Sequence, residues 1–515
     1  MVCSSGTLQT PPSLDEWTHK LVFDNSYARL PEGFYQRCEP EPSPDPQLIA
    51  FNQVLAEELG FGTRPPEPEV LAEVFSGTRL LPGSQPLASV YAGHQFGHFV
   101  PQLGDGRAHL LGEVIDTCNH RKDLQLKGSG RTAFSRSGDG RAPLGPVLRE
   151  YLLSEAMHAL GLPTTRALAA VTTGETVYRE QPEPGAVLTR VASHHIRVGS
   201  FLYFAARQDH ANLQRLADYT IARTEPQWMF QERPYLALFE NTVKRQAQLV
   251  AGWMNLGFIH GVMNTDNTSL AGETLDYGPC AFLDRYQPER VFSYVDRGGR
   301  YAFDQQPRVA RWNLARLGES LLPLIDKDQD KALELAKDSL ERFDVWFDEA
   351  WRQGLGAKLG LERVSEEDDV WLQTLLDLIA EQGVDFTLFF ALLTDYRAGS
   401  IGWEAIFEAA GSTLPQKPLA DKFNNWRSSW EQKQGREDRT DQRQGALMRD
   451  SNPRLIPRNH RIQQVIDAAI NQGDLQPFHR LLDAVTRPYE DSAEFRDYQQ
   501  PPAEGEVVTT TFCGT

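Results

Sequence analysis

The chain has 515 residues, 40% hydrophobic and 24% charged, enough for a large buried core spread over roughly two to four ordinary structural units. A formal net charge of -18 excludes a general nucleic-acid coat or an anionic-membrane binder, because phosphate surfaces require a basic face; only a local basic pocket stays compatible. No apolar run reaches the roughly 18–20 residues of a membrane span, and the start "MVCSSGTLQTPPSLDEW" has the pattern of neither a secretory signal nor a transit peptide.

In chain order, residues 1–50 are rich in Pro, Glu and Ser and read as a meandering lead-in. From about 88 the texture changes to short β-like runs between Gly-rich turns. "RAHLLGEVI" and "DLQLKGSG" alternate apolar and polar residues, the pattern of half-buried strands. Residues 143–160 carry Leu144, Val147, Leu148, Tyr151, Leu152, Ala156 and Leu160 at helical spacing, and Gly161 and Pro163 stop that helix. "RALAAVTTGETVYRE" reads as a strand, a Gly turn and another strand. After 193 the pattern is mostly helical, over 209–223, 236–256, 310–325 and 328–352, interrupted by a loop-and-strand segment at 258–303. More helices follow 355, and the charged stretch 415–447 reads as a solvated helix or loop.

This order predicts an α+β fold of protein-kinase-like, two-lobed layout. A small β-rich N-lobe with one key helix (88–192) would follow a lead-in packed on the lobes (1–87). A larger, mainly helical C-lobe (193–354) would carry the active-site loops, and extra helices with a Cys-containing tail would complete the chain (355–515).

Lys127 ends an alternating strand, and Glu150 borders the apolar stripe of the next helix. A strand lysine facing a cleft can neutralise nucleotide phosphates, with a helix glutamate holding it in place. Each alone is an ordinary surface residue; their order gives them meaning. The turns "LGDGR" (Gly104, Gly106, Arg107) and "SGDGR" (Asp139, Gly140, Arg141) let backbone N–H groups approach phosphate, although D-G is also a common hairpin signal. Arg190 and Arg197 flank "VASHHI" and could grip terminal phosphates. His94, His98, His194 and His195 read as turn or packing residues.

"HGVMNTDN" (260–267) has the outline of a kinase catalytic loop, H-R-D-x-x-x-x-N, with Val262 where the aspartate should stand. Asp266 could accept a proton from an attacking hydroxyl. Asn267 and Asp276, the latter opening "DYG", offer hard oxygen ligands to a divalent metal. Without the other motifs, "MNTDNTS" would read as a capped turn.

"YAGHQFGHFVPQLGDGRAHLLGEV", "LQLKGSGRTAFSRSGDGRAPLGPVLREYLLSEAMHALGLPTTRAL", "HGVMNTDNTSLAGETLDYGP" and "NPRLIPRNHRI" together resemble the selenoprotein O family over nearly the whole chain. The resemblance implies a pseudokinase fold that binds ATP inverted and transfers AMP to side-chain hydroxyls of proteins, with UTP open as a second donor. It implies Lys127 and Glu150 as the ion pair that organises phosphates, and Gly104, Gly106, Arg107, Asp139, Gly140, Arg190, Arg197 and Asp276 as nucleotide ligands. It further implies Asp266 as the base, and Asn267 and Asp276 as ligands of Mg²⁺ or Mn²⁺. ATP and proteins with acceptor hydroxyls are then the partners, with neither nucleic acid nor membrane. A conventional kinase and a non-catalytic nucleotide-binding scaffold are the alternatives.

Five scattered cysteines, Cys3, Cys38, Cys118, Cys280 and Cys513, form no C-x-x-C and suit a reducing, cytoplasmic setting. Taken alone, Cys513 reads as a free thiol on a loose tail. Relatives carry a selenocysteine or cysteine at that place, which raises a redox reading. Some pair it with a cysteine after the DYG segment; here Cys280 is the nearest, and the pairing stays open.

Overall fold

A computed structural model describes residues 10–436 and 441–512. Cys3 and Cys513 lie outside the described residues. Twelve strands are present among them: β1 (Val22–Phe23), β2 (Tyr35–Arg37), β3 (Gln47–Phe51), β4 (Leu87–Gln95), β5 (His98–Gly104), β6 (Ala108–Ile115), β7 (Arg121–Lys127), β8 (Ala142–Pro143), β9 (Arg166–Tyr178), β10 (Pro182–Ala192), β11 (Phe258–Ile259) and β12 (Ala281–Phe282). The first ten form one antiparallel sheet in the order β2-β4-β6-β7-β10-β9-β3, with β1 on β6, β5 on β4 and β8 on β10.

The helix Leu144–Ala159 packs against β9 and β10. On the opposite face Leu111, Val114, Leu124, Leu126, Val171 and Val187 are buried in a second core with Leu71, Val74 and Phe75 of the helix Pro68–Ser76. Both faces of the central strands are therefore covered, which is why β6 is buried from Ala108 to Val114 rather than half-buried as its alternation suggests. The covering helix comes from the lead-in, as do β1, β2 and β3. Residues 166–178 form a single long strand rather than two. Gly174 adopts φ +76° within it, and the pairing with β10 shifts register between Pro184 and Ala186, so the glycine bends the strand without ending it.

The remainder is helical, led by Pro234–Leu256, Gln306–Ile325 and Gln329–Lys358, which pack on one another. Helices also occur at Asp369–Gln382 and Phe386–Arg397. The charged stretch expected to be solvated forms the helices Leu419–Arg436 and Asp441–Ser451. Phe423 and Trp430 are fully buried there, and Trp426 stacks on Trp371 at 5.1 Å, so three aromatic anchors on one face outweigh the charge around them.

Two clips position the loops that matter. β11 and β12 pair Phe258 with Phe282 and Ile259 with Ala281, so the loop 260–280 leaves and returns at one place. Buried Arg458, from "NPRLIPRNHRI", donates to Asp284 Oδ1 (2.7 Å) and Asp385 Oδ2 (2.8 Å), tying the chain after β12 to the later helices. The chain's last described residues fold back as well. Thr511 N–H donates to Phe292 O (2.7 Å), Tyr294 N–H donates to Thr511 O (3.1 Å), and the Thr511 hydroxyl donates to Pro279 O.

Candidate active site

β7 and β10 are adjacent, with Leu188 opposite Lys127 and Arg190 opposite Gln125. Side chains two apart on a strand share a face, so Lys127, Gln125 and Arg190 project together toward the helix that carries Glu150. Glu150 Oε2 accepts from Lys127 Nζ at 2.7 Å, and Oε1 accepts from Arg190 Nε at 2.9 Å. Asp276 joins them from the DYG segment. Its Oδ1 lies 3.0 Å from Lys127 Nζ and 2.6 Å from Arg190 Nη2, and its Oδ2 lies 2.8 Å from Arg197 Nη1. Three cations thus face Glu150 and Asp276, and Asp105 stands 3.8 Å from Arg197 as a third carboxylate, so the buried charges balance.

Burial alone would raise the pKa of both carboxyls. For Asp276 it is outweighed by Arg190, Lys127 and Arg197, which hold the group well below the usual carboxylate range. Arg190 and Lys127 do the same for Glu150. Asp276 sits at φ +64°, a left-handed conformation that costs a non-glycine residue energy and is held here by its three cationic partners.

Asp266 is different. It lies in the single turn Thr265–Asn267, is 7% exposed, and its carboxyl is pushed up by burial. Among the described residues its Oδ1 has no hydrogen-bond partner, while Gln95 Nε2 stands 3.4 Å from Oδ2. Its backbone carbonyl accepts from Arg197 Nη1 at 2.7 Å, so one guanidinium touches both acids. Two glycines make room. A Cβ on Gly93 would stand 2.3 Å from Asp266 Oδ1, and one on Gly199 would stand 2.1 Å from Ala92 O.

Asn267 donates its amide to Val262 O (3.1 Å), so the residue at the kinase aspartate position serves through its carbonyl to orient Asn267. His260 is buried, and its Nε2 lies 2.9 Å from Leu275 O, joining the start of the loop to the DYG segment. Among the described residues no group of three or more His, Cys, Asp or Glu side chains could hold a metal ion. Asn267 and Asp276 could supply two hard oxygen donors, beside the orphaned Asp266 Oδ1. That donor set suits a magnesium-like ion that completes its shell with phosphate and water.

The two Gly-Asp-Gly-Arg turns both bond to the segment that follows Lys127. Arg107 O accepts from Gly128 N–H (2.7 Å) and Gly140 O from Gly130 N–H (3.1 Å). Gly104 and Gly106 lie under Phe134, where a Cβ would come within 3 Å of it, and the Thr132 hydroxyl donates to Asp105 O at 2.7 Å. Asp139 is 45% exposed and held by Arg179 at 2.8 Å, whereas Arg141 pairs with Glu175 at 2.9 Å and Glu41 at 3.2 Å. Asp105 reaches Arg197 at 3.8 Å, and the ring of Tyr91 lies 4.8 Å from the same guanidinium.

Sequence reasoning missed the β4–β5 hairpin. Phe96 and Gly97 form its turn with φ of +52° and +87°. Phe96 N–H donates to Asn264 Oδ1 (3.0 Å), the Tyr301 hydroxyl donates to the same oxygen (2.6 Å), and His94 N–H donates to Thr265 Oγ1 (2.7 Å). The sheet is thereby clasped to the loop bearing Asp266. "GHQFGH" signals the turn but gives no hint of where the turn docks.

The profile of the family described as protein adenylyltransferase SelO matches residues 18–486. The chain belongs to the SelO family. The protein nucleotidyltransferase YdiU of Rhizobium rhizogenes (strain K84) is 52% identical over 515 residues, covering 99% of both chains. Its namesakes in Bradyrhizobium sp. (strain ORS 278) and Methylorubrum populi are each 53% identical, over 96% of this chain and 99% of their own. The resemblance drawn from the motifs is borne out, and this SelO-family chain is an enzyme, a nucleotidyltransferase.

Proposed function

We propose that this enzyme transfers AMP from ATP to Ser, Thr or Tyr hydroxyls of protein substrates, on a two-lobed kinase-like frame in a reducing cytoplasm. The observation that carries the reading is Asp276, gripped at once by Lys127, Arg190 and Arg197. Such a cluster is built to exchange a carboxylate's company for phosphate oxygens. In an inverted nucleotide the β- and γ-phosphates would lie with Lys127, Arg190 and Arg197, and the α-phosphate near Asp266. The turns at Gly104, Gly106 and Arg107 and at Asp139 and Gly140 would border the nucleotide.

The acceptor oxygen attacks the α-phosphorus, the bond to the bridging oxygen breaks, and pyrophosphate departs with that electron pair. Asp266 takes the hydroxyl proton. Its burial favours this role, because a carboxylate of raised basicity is a better proton acceptor. Lys127, Arg190 and Arg197 stabilise the charge growing on the leaving pyrophosphate. Asn267 and Asp276 would hold Mg²⁺ or Mn²⁺, which when bound supplies further neutralisation of phosphate charge.

Incubating the enzyme and a protein acceptor with ATP labelled at the α- or the γ-phosphate tests this. Covalent α label alone supports AMP transfer. The γ label would mean a kinase, and no label a non-catalytic scaffold. UTP labelled at its α-phosphate asks in the same assay whether UMP is also transferred.

A further inference from the structure

The side of Asp266 that faces away from the phosphate-binding cations is itself basic. Arg197 touches only the backbone carbonyl of Asp266, whereas its side chain is met by Gly93 and Gln95 of the β4–β5 hairpin. Beyond that hairpin stands the helix Gln306–Ile325, with Arg308, Trp312 and Arg316 four residues apart and so along one face. Arg300 lies 4.8 Å over the Trp312 ring and Arg316 5.1 Å from it. The His94 ring meets Trp312 edge-on at 5.2 Å, and Phe99, 41% exposed, packs on His94 at 4.9 Å. Arg316 is partly neutralised by Glu319 at 2.6 Å. Among the described residues, Arg300 and Arg308 have no carboxylate at ion-pair distance.

A concentration of guanidinium groups is unexpected on a chain of net charge -18. Uncompensated positive charge beside an aromatic platform attracts carboxylates and steers their approach. From Arg308 to Arg316 the helix rises about 12 Å, the length of roughly three to four residues of extended peptide. That is too short a track for nucleic acid, whose binding needs many phosphate contacts. It suits two or three acidic side chains next to an acceptor hydroxyl.

We propose that Arg300, Trp312, Arg308 and the hairpin edge at His94 and Phe99 form the docking face for the protein substrate, and that it selects acidic residues flanking the acceptor. This rests on the reading of the enzyme as one that modifies protein hydroxyls. The test uses the full chain and two fluorescent peptides with one identical Ser acceptor, flanked by Asp and Glu or by Lys and Arg. Anisotropy should show the acidic peptide binding at least about tenfold more tightly. R300E/R308E should abolish that preference and raise KM for the acidic peptide while leaving KM for ATP unchanged. Arg308 is exposed and, among the described residues, bonds only Gln305 Oε1 at 3.4 Å, so R308E alone should keep the fold and lose part of the preference. Equal binding of the two peptides, a preference that survives both variants, or an RNA oligonucleotide of equal charge competing as well as the acidic peptide would each overturn the proposal. If the acidic peptide binds through this face yet no α label enters any peptide, AMP transfer fails while the docking face stands.

Discussion

Glu150 divides its two carboxylate oxygens between two cations, Lys127 on one and Arg190 on the other, so a single side chain fixes the separation of both. In the kinase pattern the glutamate is read as the partner of the lysine alone. Here Glu150→Gln uncouples two strands from the helix at once. It should cost about 3 kcal/mol of stability, the usual effect of stripping one partner from a buried charge pair, read by urea unfolding. Loss of less than about 1 kcal/mol would mean that Asp276 alone satisfies Lys127 and Arg190.

Asp276→Ala removes the group shared by Lys127, Arg190 and Arg197 and one of the two proposed metal donors. Covalent transfer from α-labelled ATP should fall by at least about a hundredfold. Full labelling by this variant would refute the assignment.

Tyr301 and Asn264 act at one remove, by holding the hairpin on the loop of Asp266. Tyr301→Phe deletes one hydrogen bond and should cost about 1 kcal/mol, a loss of roughly fivefold in kcat. Asn264→Ala deletes two and should lose more, with KM for ATP unchanged in both. Asn264→Asp keeps the acceptor oxygen and should recover much of the loss. A defect that appears only in KM for ATP would contradict this positioning role.

Two histidines set an acid limit on the fold. Burial pushes His194 down to about 3 and His109 to about 4. Both stay neutral in the folded protein while the unfolded chain gains protons below about pH 6.5. Stability is therefore complete above that pH and is lost as pH falls toward the folded values, at no more than roughly 1.4 kcal/mol per pH unit for each histidine. Urea unfolding at pH 7.5, 6 and 5 should show the decline. His194→Asn, which can still accept from Ile196 N–H, should lessen the decline and leave the part due to His109.

Cys280 is fully buried, and burial pushes its thiol up to about 12, so it is a poor nucleophile in the folded enzyme. Iodoacetamide should label exposed Cys118 and spare Cys280 until the protein unfolds. Mass spectrometry without reductant then decides the tail question, and absence of a 280–513 linked peptide would exclude that bridge.

What could be read from the sequence was whatever is written locally. Lys127 at a strand end, Glu150 one helix later and "DYG" at Asp276 are each legible in a few neighbouring residues, and the structure brings all three together. Trp426 and Trp430, with Phe423, were equally legible as a helical stripe, but the surrounding charges concealed it. The clasp was not legible, because Phe96 and Asn264 are 168 positions apart and their bond uses a backbone N–H, which any residue has. Nor was the helix Pro68–Ser76 as the cover of the sheet, since the alternation in β6 and β7 announces one buried face and gives no sign of a second.

Gly93 leaves its neighbour no choice. A library randomised at position 93 and selected for nucleotidyl transfer should return glycine alone, because even one methyl group there would occupy the space of Asp266 Oδ1. The same crowding offers a chemist a handle. Gly93→Ala would make an inert enzyme whose Lys127, Arg190 and Arg197 are untouched, and so a trap able to hold ATP and a protein acceptor together without consuming either.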